Sequence, residues 1–214
     1  MTRRILIVIA TLIVLIPATS RAAEFGLGLR AGTQGLGAEG AVSFTQWVSL
    51  RAGVHGGDLS YDFDEGGINY DGELQLGGYG VLVDFFPMRG TFRLTGGLFS
   101  NANEVEIRVR ATEDIEIGGT LYSPAEAGTL SGTVDWNSTA PYLGIGWGNV
   151  ARGKRVGFLC DLGVLSQGSG EVTLVSDSPF VDPADLAREA AEIEDDIDGF
   201  KLWPVVSFGL AIRF

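Results

Sequence analysis

The sequence KLWPVVSFGLAIRF, which runs from Lys201 to Phe214, alternates in character and ends the chain on an aromatic residue. Its even-numbered positions are apolar: Leu202, Pro204, Val206, Phe208, Leu210, Ile212 and Phe214. From position 207 onward the odd-numbered residues are small or charged: Ser207, Gly209, Ala211 and Arg213. An alternating segment of about ten residues is typical of a β-strand that turns one face to lipid and the other to a barrel interior. The end of the chain therefore predicts a transmembrane strand.

The amino terminus predicts export through a cleaved signal peptide, residues 1–23. Two arginines precede an apolar run at residues 5–16, and small residues then offer a processing point near Ala22 or Ala23. The run is shorter than the ~20 residues that a spanning helix needs, which disfavours a membrane anchor.

The composition limits the partners of the mature chain, residues 24–214, which by length is one domain. Loss of the three arginines before residue 24 leaves 12 basic and 27 acidic residues, so the net charge falls from −12 to −15. Such acidity argues against a nucleic-acid partner. Cys160 is the one cysteine, so the fold must hold without an internal disulfide.

Alternation with period two marks eight candidate strands. They cover residues 25–33, 35–44, 47–63, 72–86, 91–110, 132–149, 156–176 and 201–214. Short connections alternate with long ones, except at the first hairpin, and the long loops of bacterial barrels lie outside the cell. The sequence therefore predicts an all-β fold: an eight-stranded antiparallel transmembrane β-barrel with one short helix in the last extracellular loop.

That helix is predicted from Asp182, its cap, to Gly199, which ends it. Its apolar residues share one stripe: Leu186, Ala190, Ile193 and Ile197. The stripe fits either a lid over the barrel mouth or a docking surface for a partner. A second long loop predicts a hairpin around Gly118 and Gly119.

Parity along the strands assigns apolar residues to lipid and charged residues to the lumen. The predicted lumen set is Arg30, Glu39, Arg51, His55, Asp84, Arg93, Asp161 and Arg213. Because side chains must fill a narrow eight-stranded lumen, we expect these residues to form an internal ion-pair network.

The chain resembles the OmpA-like superfamily of small, eight-stranded outer-membrane barrels. The resemblance rests on the signal peptide, the strand count, the segment PYLGIGWG at residues 141–148 and the carboxy-terminal Phe214. It implies a place in the outer membrane of a Gram-negative cell, with outer-membrane lipid, lipopolysaccharide and the barrel-assembly machinery as partners. It also implies a barrel-assembly signal made of Phe208, Leu210, Ile212 and Phe214.

Catalytic and metal sites are not predicted. His55 is the one histidine, its parity turns it inward, and no His-x-Ser pair accompanies it. Asp62, Asp64 and Glu73 match the spacing of a calcium loop, but strands rather than helices flank them. They are a weak candidate for cation binding, and no cofactor is expected.

The sequence therefore favours a non-enzymatic outer-membrane barrel with a structural, envelope-integrity or surface-interaction role. Its acidic outer loops offer a contact for an unknown extracellular partner. The alternative is a narrow pore or carrier for small or apolar solutes, because lumen glycines such as Gly53 and Gly97 leave space. A lipid enzyme built around His55 is a third and weaker hypothesis.

Overall fold

The computed structural model describes residues 23–65 and 68–214. The predicted signal peptide lies outside these residues apart from Ala23. Within the described residues, no helix is both long enough and apolar enough to cross a membrane.

Thirteen strands and two helices make up the described part of the chain. The strands are β1 (Glu24–Gly32), β2 (Gly35–Ser43), β3 (Val48–Glu65), β4 (Ile68–Phe85), β5 (Phe92–Asn101), β6 (Glu104–Ala111), β7 (Ile115–Ile117), β8 (Thr120–Tyr122), β9 (Thr129–Asp135), β10 (Thr139–Trp147), β11 (Val156–Ser166), β12 (Glu171–Ser176) and β13 (Leu202–Arg213). The helices are α1 (Pro124–Ala127) and α2 (Pro183–Ile197).

Eight strands close into an antiparallel barrel, which confirms the predicted fold class. Their order is β1-β2-β3-β4-β5-β10-β11-β13, and β13 returns to pair with β1. The alternating carboxy-terminal segment thus pairs with β11 on one side and β1 on the other, and no edge of the barrel stays open. The short turns at residues 44–47, 86–91 and 148–155 share one end of the barrel, which we name the turn end.

The apolar face of the barrel strands points outward. Leu29 is 68% exposed, Leu143 69% and Phe158 84%, while their neighbours along each strand turn inward. A soluble β-protein would bury these side chains in its core. An apolar exterior on a closed barrel is the arrangement of a transmembrane protein, because lipid replaces the core as the apolar solvent.

Three of the predicted strands are too long. Segments 91–110, 132–149 and 156–176 each break, into β5 and β6, β9 and β10, and β11 and β12. The pieces β6, β9 and β12 leave the barrel and continue the β3–β4 hairpin as a five-stranded sheet of order β3-β4-β6-β9-β12. We name this sheet, together with the helices, the small hairpin and the loops that connect its strands, the extension. The strand assignment missed these breaks because alternation with period two resumes beyond each of them.

The predicted loop at residues 64–71 is also largely strand. β3 continues to Glu65 and β4 begins at Ile68, with Asp62 opposite Asp71 in the ladder. Turn-forming residues in this segment suggested a loop, but pairing with β6 on the other side of β4 stabilises the extended backbone.

Helix α2 begins as predicted. The Oδ1 atom of Asp182 accepts a hydrogen bond of 2.9 Å from the backbone N–H of Ala184, and Pro183 opens the first turn. The residues of the apolar stripe are half-buried, and the helix packs against β12 and β7. The contacts therefore place the helix on the extension, rather than as the lid over the barrel mouth that the sequence suggested.

The hairpin predicted at Gly118 and Gly119 is present as β7 and β8. Both glycines have positive φ values, 54° and 82°, as a two-residue hairpin turn of type I′ requires. Beside the hairpin lies a small apolar core of Ile117, Tyr122, Ala127 and Val181. The extension therefore has a core of its own, separate from the barrel.

Candidate functional site: a charged layer across the lumen

Six charged side chains meet inside the barrel, and we name them the charged layer. They are Arg30 of β1, Glu39 of β2, Arg51 of β3, Asp84 of β4, Arg93 of β5 and Asp161 of β11. Each of these strands contributes one inward-facing position at the same level of the barrel. Three guanidinium groups face three carboxylates, so the formal charge of the layer is zero.

Asp161 is the residue that the three arginines share. Arg93 Nη2 donates to both carboxylate oxygens of Asp161, at 2.7 Å each. Arg51 Nη2 lies 3.4 Å from Asp161 Oδ1, and Arg30 Nη1 pairs with Oδ2. One carboxylate thus contacts all three cations of the layer.

Arg51 links the remaining carboxylates. Its Nη1 donates to Glu39 Oε2 and its Nη2 to Asp84 Oδ1, both at 3.0 Å. Arg30 Nε lies 2.7 Å from Glu39 Oε1. The hydroxyl of Thr95 donates a further hydrogen bond of 2.7 Å to Asp84 Oδ1. The six groups are therefore one connected network rather than separate pairs.

The charged layer is shielded from solvent. Arg93 is 0% exposed, Asp84 2%, and Arg51 and Asp161 3% each. A buried charge without a partner costs several kcal/mol, roughly, even after relaxation, so these groups persist only because they are paired. Charged groups that lined a water-filled pore would be exposed, and the burial shows that the layer fills the lumen at this level.

A second obstruction lies at the turn end. The turn at residues 148–155, which we name the plug, folds into the barrel, and Val150 and Ala151 are each 2% exposed there. They pack with Leu159 and with two small side chains of neighbouring strands. A Cβ atom at Gly26 would overlap the carbonyl group of Val150, so only glycine admits the plug at that position.

Arg213, predicted as a lumen ion-pair residue, holds the plug instead. Its Nε donates to the backbone oxygen of Asn149 at 2.8 Å, and its other N–H groups reach the carbonyls of Asn149 and Lys154. Its place at the end of β13 puts it at the level of the plug, away from the charged layer. Parity along β13 places Arg213 on the inward face of the barrel. Its height along the barrel axis follows only from the register of the closed barrel.

His55, the other predicted member, also lies away from the charged layer. It follows Arg51 by four residues on β3, a distance of about 13 Å along the strand. Its ring meets the edge of the Phe99 ring, with centroids 5.3 Å apart. The structure thus places the histidine beside an aromatic ring in the outer half of the lumen.

The outer half of the lumen is partly filled. An apolar cluster packs there: Leu82, Phe99, Ala140, Tyr142, Leu165 and Val205, with Trp203 against it. Beside the cluster is a cavity of about 60 Å³ whose wall includes Gly37, Gly53, His55 and Arg30. That volume holds a few water molecules.

The remaining predicted residues lie on the surface of the barrel or in the extension. The assembly-signal residues Phe208, Leu210, Ile212 and Phe214 are 62%, 49%, 50% and 77% exposed on the outer face of the last strand. Asp62 and Asp64 lie on β3, and Glu73 on β4 pairs opposite Ser60. Within the described residues, no group of three or more His, Cys, Asp or Glu side chains is placed to hold a metal ion.

Side-chain hydrogen bonds order the extension. The Tyr122 hydroxyl donates at 2.6 Å to Asp185, which is 4% exposed and also pairs with Arg188. Glu194 of α2 accepts a hydrogen bond of 2.8 Å from the backbone N–H of Val172, at the edge of β12. The edge strand is thus covered by a helix, which protects it from pairing with other chains.

One carboxylate of the extension has a shifted pKa. The hydroxyl and the backbone N–H of Ser123 both donate to Glu126, and these hydrogen bonds lower the pKa of Glu126 below its usual value. The arrangement is a capping box at the start of α1.

Sequence reasoning missed the plug and the contact between Tyr122 and Asp185. The plug is rich in small and basic residues, and such a composition is typical of an ordinary exposed turn. The partner of Asp185 is 63 residues away in the chain, so no local pattern reveals it. A glycine at position 26, among many others in the barrel strands, is the one trace of the plug in the sequence.

No protein-family model matches this sequence, and no curated protein matches it. The structure is similar to that of Acinetobacter baumannii CarO2, with a TM-score of 0.64 and 21% identity over 91% of this chain and 100% of that one. Acinetobacter baumannii CarO gives a TM-score of 0.62 and 21% identity, over 92% and 100% of the two chains. A major outer membrane protein from Thermus thermophilus matches with a TM-score of 0.42 and 18% identity, over 91% and 100%. The likeness to the first two proteins is one of fold, and the chain is a small transmembrane barrel of the same architecture.

Proposed function

We propose that the protein is a non-enzymatic barrel of the OmpA-like kind in the outer membrane of a Gram-negative cell. In this proposal the lumen is closed and serves stability, and the extension is the working surface, outside the cell. A signal peptide at residues 1–23 delivers the chain to the periplasm, and the terminal strand presents the assembly signal.

Burial of the charged layer is the observation that carries the proposal. Arg93 and Asp161 lie in the lumen with almost no exposed surface, and the plug, whose Gly148 oxygen accepts a hydrogen bond from Arg93, closes the turn end. A solute would have to break a paired, buried network to pass, which costs about 3–5 kcal/mol for each partner lost. A structural or surface role therefore fits this lumen better than transport does.

The extension has the character of an interaction surface. Segments 57–77, 102–138 and 167–201 carry 23 acidic and four basic residues, a net charge of −19. Charge of one sign over a folded surface favours partners of the opposite sign and speeds their association. We expect an extracellular partner with a basic surface, and no nucleic acid.

The cavity in the outer half of the lumen is the observation that favours the second candidate function, a narrow pore or carrier. Its wall includes Gly37 and Gly53 as well as the aromatic ring of Phe99, and its volume of about 60 Å³ would have to widen before it could take a solute larger than water. Passage would then require the charged layer and the plug to rearrange.

Conductance of the refolded mature chain in a planar bilayer tests the proposal. We expect a silent membrane, with folding confirmed by a mobility change on unheated gels. Discrete conductance steps whose ion selectivity changes in Arg51→Ala, and not in the matched control Arg108→Ala of the extension, would favour the pore instead. Arg108 suits the control because it is exposed and pairs only with Glu106 among the described carboxylates.

A further inference from the structure

The turn end carries a charge opposite to that of the extension. Besides Arg213, which is bound to the plug, its basic side chains are Arg89, Arg152, Lys154 and Arg155, and Glu24 is the acidic residue beside them. Glu24 pairs with Arg152, and among the described residues no carboxylate pairs with the other three. We name Arg89, Lys154 and Arg155 the basic rim.

The basic rim comes from two neighbouring turns. β5 pairs with β10 down to Phe92 and Trp147, and the N–H of Gly148 donates to the backbone oxygen of Thr91 at 2.9 Å. The turn that carries Arg89 therefore lies beside the plug. The backbone of the plug is fixed by Arg213, so Lys154 and Arg155 project from an ordered support.

Aromatic side chains set the height of the rim in the membrane. At the turn end, rings pair between Trp47 and Phe85 at 6.4 Å and between Phe92 and Trp147 at 5.6 Å. Phe214 is 77% exposed at the same end. Aromatic belts of this kind sit at the level of lipid headgroups. The exposed cations of the rim therefore stand where headgroup phosphates lie.

The guanidinium of Arg89 is held at this level. It lies 4.3 Å from the centroid of the Trp47 ring, a cation–π contact that fixes a long side chain without neutralising it. The positive charge stays available to an anion outside the protein.

From these observations we propose that the basic rim binds the headgroups of anionic phospholipids in the leaflet at the turn end. The inference rests on the proposed outer-membrane location, in which that leaflet faces the periplasm. Basic residues near an anionic membrane surface each strengthen binding by about fivefold, and the effect fades within a Debye length. The net charge of −19 at the other end repels the same lipids, so the two ends of the barrel differ in lipid preference.

Native mass spectrometry of the refolded mature chain tests the inference. The protein is released at low ionic strength from mixed micelles that contain equal amounts of phosphatidylglycerol and phosphatidylcholine. The number of molecules of each lipid that stay bound to the protein is then measured. Both lipids carry a phosphate, so a preference reports net charge. We expect phosphatidylglycerol to dominate, and the preference to fall at least tenfold in Arg89→Gln/Lys154→Gln/Arg155→Gln.

The matched control removes the same charge from the other end: Arg108→Gln/Arg110→Gln/Arg188→Gln. It should keep the preference of the unmodified chain, and both triple variants must keep the gel mobility of a folded barrel. Equal retention of the two lipids by the unmodified chain would overturn the inference, as would an equal loss in the control.

Failure of this inference is separable from failure of the proposed function. A silent bilayer together with no lipid preference would reject lipid binding by the basic rim and leave the proposed function intact. Conductance steps would reject the proposal that the lumen is closed, and they would not affect the conclusion on lipid binding. Trypsin cleavage after Lys154 or Arg155 on intact cells would show that the turn end faces outward, against the proposed location.

Discussion

Replacing Asp161 with asparagine should destabilise the barrel more than any exposed charge change. The substitution keeps the volume of the side chain and one carbonyl oxygen, but it removes the negative charge that Arg30, Arg51 and Arg93 share. The formal charge of the layer rises from zero to +1 among side chains that are no more than 11% exposed. The variant therefore isolates charge from packing.

The contacts of Asp161 set the magnitude of the expected loss in the free energy of unfolding. One ion pair at about 4 Å is worth roughly 4 kcal/mol at an effective dielectric constant of 20, so three cations give a gross attraction near 12 kcal/mol. Repulsion from Glu39 and Asp84, together with the desolvation that the neutral side chain avoids, offsets most of it. The net cost of leaving a buried charge unpaired is about 3–5 kcal/mol, and we expect Asp161→Asn to fall in this range.

Urea unfolding in phospholipid vesicles, followed by tryptophan fluorescence and gel mobility, measures the loss. Glu106→Gln is the control: it breaks a pair with Arg108 of 2.7 Å whose arginine side chain is 60% exposed, and should cost under about 1 kcal/mol. Arg93→Met/Asp161→Asn returns the layer to zero charge and should be less destabilised than Asp161→Asn alone. A loss under about 1 kcal/mol in Asp161→Asn, equal to that of the control, would refute the reasoning.

Three further predictions concern other parts of the chain. Gly26→Ala should expel the plug, because its Cβ would overlap the carbonyl of Val150, and faster trypsin cleavage at the turn end of the folded barrel would show it. Tyr122→Phe should cost the extension about 1–3 kcal/mol, because buried Asp185 loses a donor; limited proteolysis should then cut the extension faster while the barrel keeps its gel mobility. Removal of Phe214 should lower the amount of barrel assembled in cells and leave refolding into detergent intact, and equal assembly would argue against the signal.

The alternation of the strands was sufficient to predict which residues face lipid and which face the lumen. Leu29 and Phe158 are exposed on the outer face, and Arg51 and Asp161 are buried inside, as parity alone indicates. Parity carries no information on height along the barrel. His55 and Arg213 share the inward face with the charged layer and yet lie at other levels, since the level depends on strand tilt and register.

The extension shows the second limit of the sequence. β6, β9 and β12 have the same period of two as the barrel strands, so the sequence could not separate the residues that stay in the membrane from those that leave it. The separation depends on which partner each strand meets: β4 pairs with β5 in the barrel and with β6 beyond it.

The sequence by itself determined the closed eight-stranded fold and the face of each strand residue, because these follow from a period of two. The export signal stays a prediction from local composition. Only the tertiary structure decided which charges meet, how the plug closes the turn end and where the sheet leaves the barrel. These depend on contacts between residues far apart in the chain, such as Arg93 with Asp161 and Tyr122 with Asp185. Such contacts are set by barrel closure and register, and no local stretch of sequence contains them.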